Sequence, residues 1–223
     1  MEKGKIIVVE GACDGIGKST QYDLLNKWLK EEGYEVRKHH FPSYNTPQGA
    51  LVEKYLKGDY GNPKDISPYF INSLYAIDRA STFKEGLEEE YKNGKILLFD
   101  RYTTSSIIYQ SSTIEDPVKR KEFIDYIVDF EYNKLEIPTP DEVVFLTAPF
   151  DLVTKLREKR KDNEGIENDI HERNIEFMRR VYENAIYLAD YLNWDQIHCN
   201  ERNQMRSIAS IHEEVVQKVK RRI

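Results

Sequence analysis

A glycine-rich turn between an apolar strand and a helix is the feature of this sequence that most constrains its fold. Residues 6–9, IIVV, form a continuous β-branched run, which is typical of a strand buried on both faces of a sheet. The segment 10–20, EGACDGIGKST, follows directly, and apolar residues then recur at helical spacing over 19–32. Glycines let backbone N–H groups turn inward around a phosphate, and a helix N-terminus adds a partial positive charge. The segment therefore predicts a phosphate-binding loop in an α/β fold.

The loop departs in one respect from the usual spacing of its motif. Four residues normally separate the first glycine from Gly-Lys; here that spacing leads to Ala12, and Gly11 lies one residue earlier. Either the loop is one residue longer, or Ala12 takes the place of the first glycine. In both cases we expect Lys18 to reach the β- and γ-phosphates of a nucleoside triphosphate and Ser19 to ligate Mg²⁺. The predicted nucleotide-binding residues are Gly11, Ala12, Cys13, Asp14, Gly15, Ile16, Gly17, Lys18, Ser19 and Thr20.

Further apolar runs alternate with long helical patterns along the whole chain. Strands are expected at 34–41, 95–99, 143–146 and 195–199, and helices at 66–91, 116–134, 150–160, 169–192 and 205–221. Such alternation predicts a five-stranded parallel sheet with helices on both faces, in a single domain over residues 1–223. Ligands of such sheets bind beyond the carboxyl ends of the strands, so the residues that follow each strand are candidates for chemistry.

The third expected strand ends in charged residues, within the sequence Asp100-Arg101-Tyr102. At this position Asp100 is placed to hold Mg²⁺ through water, and Arg101 to neutralise charge on a transferring phosphoryl group. The alternative is a surface ion pair on a turn, which the location at a strand end makes the weaker interpretation.

Composition excludes several classes of protein. A net charge of −6 disfavours non-specific binding to nucleic acid. The two cysteines, Cys13 and Cys199, make no disulfide framework, which indicates a reducing cytoplasm. The first apolar run has only four residues, too few for a signal peptide or a membrane span. We therefore expect a cytoplasmic protein that binds neither nucleic acid nor membrane, with the loop N–H groups lowering the pKa of Cys13.

Five segments occur in one characteristic order: residues 10–21, Phe41-Pro42, Asp78-Arg79, Asp100-Arg101-Tyr102 and 140–146, PDEVVFL. In this order and spacing they resemble the thymidylate kinase family, from the first strand to the last helix. The resemblance implies a three-layer P-loop kinase fold with a mobile lid, and a homodimer. It also implies an ATP- and Mg²⁺-dependent enzyme that converts dTMP to dTDP by direct in-line phosphoryl transfer.

The resemblance further implies which residues bind the acceptor nucleotide. Tyr75 matches the aromatic residue that stacks on thymine, and Arg79 matches the arginine that holds the nucleotide; their i,i+4 spacing places both on one helix face. Asp14 matches the loop carboxylate that contacts the sugar 3′-hydroxyl. The alternative is that Tyr75 is a core residue and Arg79 a partner of Asp78 on a solvated face. The implied substrate-binding residues are Asp14, Phe41, Tyr75, Arg79, Arg101, Ser105, Ser106, Tyr109 and Gln110.

A lid arginine is also implied, because the phosphate loop itself carries none. The charged segment that begins at Arg157 breaks helical periodicity and predicts a lid at about residues 157–168. Closure of such a lid excludes water and brings a guanidinium group to the developing charge. Arg160 is the favoured residue, with Arg157 and Arg173 as alternatives. The implied catalytic residues are Lys18, Arg101, Asp14 and Arg160.

Two positions depart from the pattern of the family. Many members carry an arginine near the position of Phe41-Pro42, whereas Ser43 and Tyr44 follow here, which weakens the predicted hold on the acceptor phosphate. The fourth strand commonly ends in Leu-Asp-Val, and this chain has Leu146-Thr147-Ala148.

Two other functions stay open from the sequence alone. A deoxynucleoside kinase of related fold phosphorylates a hydroxyl group and needs a base, for which Glu10 is the candidate. An inactive or regulatory nucleotide-binding protein would keep the loop without the chemistry. The sequence also leaves open which nucleoside monophosphate is preferred, because one tyrosine and a few hydroxyl groups do not define a base edge.

Overall fold

Five parallel strands form the central sheet, in the order β2-β3-β1-β4-β5. The computed structural model describes residues 3–164 and 175–223, apart from the side chains of residues 64 and 159–164. The parallel pairing and all five predicted strands are confirmed, with ends that differ from the prediction by at most two residues. The strands are β1 (Lys5–Gly11), β2 (Val36–His40), β3 (Ile96–Asp100), β4 (Glu142–Thr147) and β5 (Asp195–His198).

Helices cover both faces of this sheet, and a short antiparallel pair, β6 (Asn200–Glu201) and β7 (Gln204–Met205), follows β5. Among the residues described, no helix combines the length and apolar character needed to cross a membrane. The α-helices are α1 (Lys18–Glu31), α2 (Ala50–Lys57), α3 (Pro68–Thr82), α4 (Glu88–Lys92), α5 (Thr103–Ser111), α6 (Pro117–Val128), α7 (Phe150–Glu164), α8 (Ile175–Tyr191) and α9 (Ile208–Val219).

The central strand β1 buries its side chains on both faces of the sheet. Ile7 and Val9 belong to a core cluster with residues of α1 and α9. Ile6 and Val8 point to the opposite face, where they pack in a cluster with Phe83 and Tyr102. Because successive strand residues face opposite sides, a fully apolar run requires cover on both, and the predicted three-layer architecture is confirmed.

Two helices, α2 and α5, were not predicted from the sequence. The nine residues of α5, TTSSIIYQS, include β-branched and hydroxyl residues with low helix propensity. Seven of the nine are buried, and the helix packs against α3, α6 and α8. Tertiary burial therefore stabilises a helix that its own sequence does not favour.

The helix predicted at 66–91 is interrupted, and the one predicted at 150–160 is longer than expected. A π-helical segment, Phe83–Leu87, lies between α3 and α4, and another, Asp129–Lys134, follows α6. The expected break at Arg157 is wrong, because α7 continues to Glu164; its Lys, Arg and Glu residues favour helix even without an apolar face. The remaining part of the predicted lid, 165–168, and the predicted start of α8 lie outside the described residues.

The carboxyl groups of buried Glu142 and half-buried Asp195 lie at the amino ends of β4 and β5. Burial, followed by the charge of Asp195, raises the pKa of Glu142 to about 7. Arg222 donates a hydrogen bond from Nε to Glu142 Oε2 at 3.0 Å, and Lys218 donates one from Nζ to Asp195 Oδ1 at 2.8 Å. The two basic residues follow or end α9, so this cluster attaches the C-terminal helix to the sheet.

We predict that the wild-type protein loses stability at Glu142 as the pH rises from about 4.5 to 7. Replacing Glu142 with glutamine should reduce this loss. The pKa of Glu142 is raised on folding from an ordinary value of 4.5 to about 7. Between these two pH values the Glu142 carboxyl is protonated in the folded chain and ionised in the unfolded chain. The stabilisation that comes from this bound proton is lost as the pH rises through 7. A shift of this size corresponds to roughly 3 kcal/mol.

Denaturant unfolding at several pH values measures the difference in unfolding free energy between Glu142→Gln and the wild type. Comparison at equal pH cancels the opposite contribution of His39, whose pKa is lowered by burial to about 4. The difference should grow in favour of the variant as the pH rises, and a difference independent of pH would contradict the prediction.

Candidate active site

The phosphate loop lies between the end of β1 and the start of α1. It comprises residues 12–17, since β1 ends at Gly11 and α1 begins at Lys18. Gly11 pairs with Leu146 of β4, and the Ala12 N–H donates to the Leu146 carbonyl at 2.9 Å. Ala12 is thus the first loop residue, which favours the interpretation that it replaces the first glycine of the motif. Gly17 has φ of +101°, a left-handed conformation that favours glycine.

Several loop side chains belong to the core and do not face a ligand site. Ala12, Cys13 and Ile16 are 1%, 7% and 3% exposed, so only their backbones are available to a phosphate. Burial, with a smaller effect of the Asp14 charge, raises the pKa of the Cys13 thiol to about 12. The expected lowering of this pKa is therefore wrong, because the side chain points into the apolar interior and away from the loop N–H groups.

Lys18 and Asp100 form an ion pair at the carboxyl ends of the strands. The Nζ atom of Lys18 lies 2.8 Å from Oδ1 of Asp100, and Nδ1 of His40 is hydrogen-bonded to Oδ2 of the same carboxylate at 3.0 Å. Burial alone would raise the pKa of Asp100, but the hydrogen bond from His40 and the charge of Lys18 bring it below its ordinary value. Asp100 is therefore ionised at neutral pH, and it holds the loop lysine against the end of β3.

Arg101 and Asp14 form a second ion pair beside the first. Arg101 has φ of +67°, a conformation that is costly for a non-glycine residue and that concentrates at functional sites. Its guanidinium group is hydrogen-bonded to Asp14, and Nη1 lies 3.8 Å from Oε1 of Glu10. Tyr109 donates to Asp14 Oδ2 at 3.1 Å. Burial would raise the pKa of Asp14, but Arg101 and Lys18 lower it, so this carboxylate is also ionised.

A cavity of about 600 Å³, including space open to solvent, lies next to these ion pairs. Every residue that the resemblance implied for binding the acceptor nucleotide lines it. These residues are Asp14, Phe41, Tyr75, Arg79, Arg101, Ser105, Ser106, Tyr109 and Gln110, joined by Pro42, Tyr44, Leu56 and Tyr102. We call it the acceptor cavity.

A second cavity, of about 740 Å³ on the same measure, lies over the phosphate loop. We call it the loop cavity. It meets the acceptor cavity at Asp14, Tyr44 and Arg101, which line both. Its lining residues are Asp14, Gly15, Gly17, Lys18, Ser19, Thr20, His40, Tyr44, Asp100 and Arg101.

Arg79 reaches the acceptor cavity from a buried ion pair. It is 1% exposed, and Nε and Nη2 each donate to the carboxylate of Glu131, both at 2.6 Å. A further bond from Nη2 to Ser106 Oγ measures 2.8 Å, and Thr103 donates to the same glutamate at 2.8 Å. The alternative of a solvated Asp78–Arg79 pair is wrong, because both residues are buried and Arg79 is paired with Glu131.

The loop cavity offers oxygen ligands suited to Mg²⁺. The Ser19 hydroxyl and the Asp100 carboxylate both line it. In the part of the chain that the structure describes, no group of three or more His, Cys, Asp and Glu residues could hold a metal ion. Mg²⁺ at such sites takes one or two protein oxygens, with the rest of its ligands from water and substrate phosphates. The residues present therefore fit a nucleotide-bound Mg²⁺ and not an all-protein metal cage.

Of the three candidate lid arginines, Arg157 alone has a described side chain. A β-carbon added to Gly15 would lie 3.3 Å from Cβ and 3.5 Å from Cγ of Arg157, so the stem of this arginine packs over the phosphate loop. Its charge contributes to the lowered pKa of Asp14. The side chain of Arg160 and the whole of Arg173 lie outside what the structure describes.

Sequence reasoning missed three side chains that shape the site. Glu131 lies 52 residues from its partner Arg79, in a helical pattern that showed no sign of function. His40 is the last residue of β2 and Tyr44 lies four residues beyond it, close to the place where a missing arginine was noted. For these two, their position at or just beyond the carboxyl end of a strand was an available signal.

A sequence model of the family described as thymidylate kinase matches residues 9–215. A probable thymidylate kinase of Thermococcus gammatolerans is 32% identical over 224 residues, covering 99% of this chain and 98% of that protein. A thymidylate kinase of Prochlorococcus marinus is 30% identical over 206 residues, covering 91% of each. These similarities extend over nearly the whole chain. The residues matched by the family model include all those that line the two cavities.

Solved structures show the same fold at lower sequence identity. The thymidylate kinase of Candida albicans is similar with a TM-score of 0.73 at 19% identity, covering 98% of this chain and 92% of that one. That of Ehrlichia chaffeensis gives 0.67 at 20% identity, covering 98% and 100%. The fold and the two adjoining cavities define a P-loop nucleoside monophosphate kinase. Since the family model matches 9–215, the chain belongs to the thymidylate kinase family.

Replacing Glu131 with alanine should destabilise the protein by about 3–5 kcal/mol, because the guanidinium group of Arg79 would stay buried without its carboxylate. Denaturant unfolding measures the change. The matched control is Glu122→Ala, at an exposed position of α6, which should alter the unfolding free energy by about 0.5 kcal/mol or less. Equal effects of the two substitutions would contradict the prediction.

Proposed function

We propose that the protein transfers the γ-phosphoryl group of ATP to the phosphate of dTMP, producing ADP and dTDP. The observation that carries this proposal is the junction of the two cavities at Asp14, Tyr44 and Arg101. In-line transfer requires the phosphates of two nucleotides to meet at one place. The loop cavity suits the triphosphate, and the acceptor cavity suits a pyrimidine deoxynucleoside monophosphate.

The chemistry asks for positioning and charge stabilisation more than for proton transfer. An oxygen of the dTMP phosphate attacks the γ-phosphorus while the bond to the β,γ-bridging oxygen breaks and ADP leaves. The acceptor phosphate is already ionised at pH 7, so no dedicated base is needed. Lys18 and Arg101 neutralise charge on the transferred group. When bound to ATP through Ser19 and Asp100, Mg²⁺ would neutralise the β- and γ-phosphate oxygens.

The acceptor cavity supports roles for most of the implied substrate residues. The half-buried ring of Tyr75 packs edge-on against Tyr55, with centroids 6.3 Å apart, and its exposed part is available to stack on thymine. Arg79, which is paired with Glu131, is assigned to holding the nucleotide, and Gln110 to the base edge. Four further members of the set are assigned to the sugar: Asp14 to the 3′-hydroxyl, and Ser105, Ser106 and Tyr109 to the deoxyribose.

A deoxynucleoside kinase is less well supported, because its candidate base is already engaged. Glu10 is fully buried. One carboxylate oxygen accepts the Gly11 N–H at 3.1 Å, and the other accepts the hydroxyls of Thr104, at 3.0 Å, and Ser105. A base must have a lone pair within reach of the hydroxyl that it deprotonates, and this geometry disfavours one here.

The lid arginine, the oligomeric state and the cell compartment are further parts of the proposal. Arg160 stays the favoured catalytic arginine of the lid. The packing of Arg157 over Gly15 supports it as the alternative that already contacts the loop. A homodimer is what the family resemblance implies, and two cysteines without a disulfide framework indicate the cytoplasm.

A coupled ADP-release assay across nucleoside monophosphates tests the proposed function. Activity with dTMP and none with thymidine is the expected result, since the phosphate is the nucleophile. Activity with thymidine alone would favour the deoxynucleoside kinase. If none of the acceptors tested led to ADP release, neither kinase would be supported. A wild-type protein without turnover would favour the inactive or regulatory alternative.

Lys18→Ala is the matching variant for this assay. It should lower kcat by about 10²–10³-fold, the cost of removing one stabilising group aimed at the transition state. Circular dichroism should show an unchanged fold, because Asp100 retains His40 as a partner. An exposed lysine of the same helix, Lys30, provides the control substitution Lys30→Ala. Unchanged turnover of the Lys18 variant would refute the role of the phosphate loop.

Tyr75→Ala should raise the KM for dTMP by about tenfold or more while leaving the KM for ATP nearly constant. The lost contribution is the stacking of one base on an aromatic ring, worth about 1–3 kcal/mol. Tyr75→Phe keeps the ring and should recover most of the affinity for dTMP. Steady-state kinetics with each substrate varied in turn measures both constants, and equal increases would place the base elsewhere.

A further inference from the structure

The helix α5 supplies four residues of the acceptor cavity, and two of them, Tyr109 and Gln110, lie in its last turn. Tyr109 donates to the carboxylate of Asp14 at 3.1 Å. The Oε1 atom of Gln110 is buried and has no hydrogen-bond partner among the residues that the structure describes. A buried acceptor of this kind calls for a donor from a ligand or from water. The position of this helix end therefore affects how the cavity meets a bound nucleotide.

The last turn of α5 uses side chains to satisfy its carbonyl groups. Carbonyl groups at the end of a helix lack N–H partners within the helix. Four successive carbonyl groups accept from side chains here: Ile107 from Ser111, Ile108 from Asn184 at 2.8 Å, Tyr109 from Ser112 at 2.7 Å and Gln110 from Thr113 at 2.7 Å. Three of these donors belong to α5 or to the turn after it, whereas Asn184 belongs to α8.

The Asn184 amide is held between two acceptors of α5. Its Nδ2 atom donates to the Ile108 carbonyl and to Ser111 Oγ, both at 2.8 Å. The Ser111 hydroxyl gives its one proton to the Ile107 carbonyl, so it accepts from Asn184. Asn184 is 4% exposed, and its bonds are shielded from competing water. Both amide protons of this residue are therefore used to hold the end of α5.

A cap from another helix matters because α5 has little tendency to form a helix by itself. Its β-branched and hydroxyl residues have low helix propensity, and a helix this short is marginal without tertiary contacts. Loss of the bonds from α8 should therefore let the last turn open. Opening would displace Tyr109 and Gln110, which belong to this turn.

We propose that Asn184 is a positioning residue for the acceptor nucleotide, and that it acts by capping the C-terminal turn of α5. This rests on the proposed function, which assigns Tyr109 to the deoxyribose and Gln110 to the base edge. Asn184 itself lies outside the lining of both cavities, so its effect on the substrate passes through the backbone of α5.

Hydrogen exchange of the full-length protein tests the capping without any substrate. In Asn184→Ala, the amide protons of residues 109–114 should exchange about tenfold faster than in the wild type, as expected when a buried carbonyl group loses its donor. The increase should exceed that in α9. The matched control is Asn133→Ala, at an exposed position after α6, which should change neither region. No increase at residues 109–114, or an equal increase in α9, would overturn the capping.

Steady-state kinetics tests the link from Asn184 to the substrate. Asn184→Ala should raise the KM for dTMP by about tenfold, within the range that misplaced binding groups cost. The KM for ATP should stay nearly constant, because the residues that line the loop cavity belong to elements other than α5. A role in stability alone would leave both constants unchanged in the folded enzyme. An unchanged KM for dTMP, or equal increases of both constants, would overturn the positioning role.

Ser111→Ala is a second, milder variant, which keeps the test available if Asn184→Ala does not fold. It removes one of the two acceptors of Asn184 and leaves the bond to Ile108. It should therefore raise the KM for dTMP by a smaller factor, again without changing that for ATP. Adding Asn184→Ala to this variant should have less effect than in the wild type, because one shared bond is already lost. An unchanged KM in Ser111→Ala, or fully independent effects, would contradict the inference.

The ADP-release assay of the wild type separates this inference from the proposed function. A wild type without turnover of dTMP contradicts the proposed function, and hydrogen exchange still decides whether Asn184 caps α5. Turnover of dTMP by the wild type, with the same KM for dTMP in Asn184→Ala, overturns the inference alone.

Discussion

Two ion pairs at the carboxyl edge of the sheet, Lys18–Asp100 and Arg101–Asp14, organise the whole site. Each joins a residue at the phosphate loop to a residue at the end of β3. The loop and the strand end are 80 or more residues apart in the chain, and the direct pairing of β1 with β3 places them side by side. Because each cation already faces a carboxylate, the site holds its positive charge in place without substrate, and an entering phosphate meets preorganised groups.

The acceptor cavity depends on a different, fully buried interaction. The Arg79–Glu131 pair connects α3 to the π-helical segment after α6, and Thr103 and Ser106 of α5 complete its hydrogen bonds. A buried guanidinium group is tolerated only where such partners satisfy it. The three helical elements that form one side of the cavity are therefore tied together at a single polar centre. This arrangement explains how an arginine can be buried and still line the acceptor cavity.

Much of the fold was predictable because it follows from short-range pattern. The alternation of strand and helix patterns identified all five strands, and the strand–loop–helix motif placed Lys18 and Ser19 correctly at the start of α1. The helices α2 and α5 were missed. For α5 the reason is that its residues favour helix only when they are buried. The expected break at Arg157 failed for the opposite reason: a run of charged residues has no apolar periodicity, yet its intrinsic propensity continues α7 to Glu164. The predicted direction of the Cys13 pKa shift was wrong because the sequence does not say which way a loop side chain points.

The sequence by itself determined the phosphate loop, the strand-end pair Asp100-Arg101 and the family resemblance, because each depends on residues close together in the chain. Only the tertiary structure decided that Glu131 holds Arg79, that Arg157 lies over Gly15, and that Tyr44 reaches the junction of the cavities. These contacts join segments whose separation along the chain carries no periodic signal. They arise from how the sheet and helices pack, and packing depends on all of the residues together.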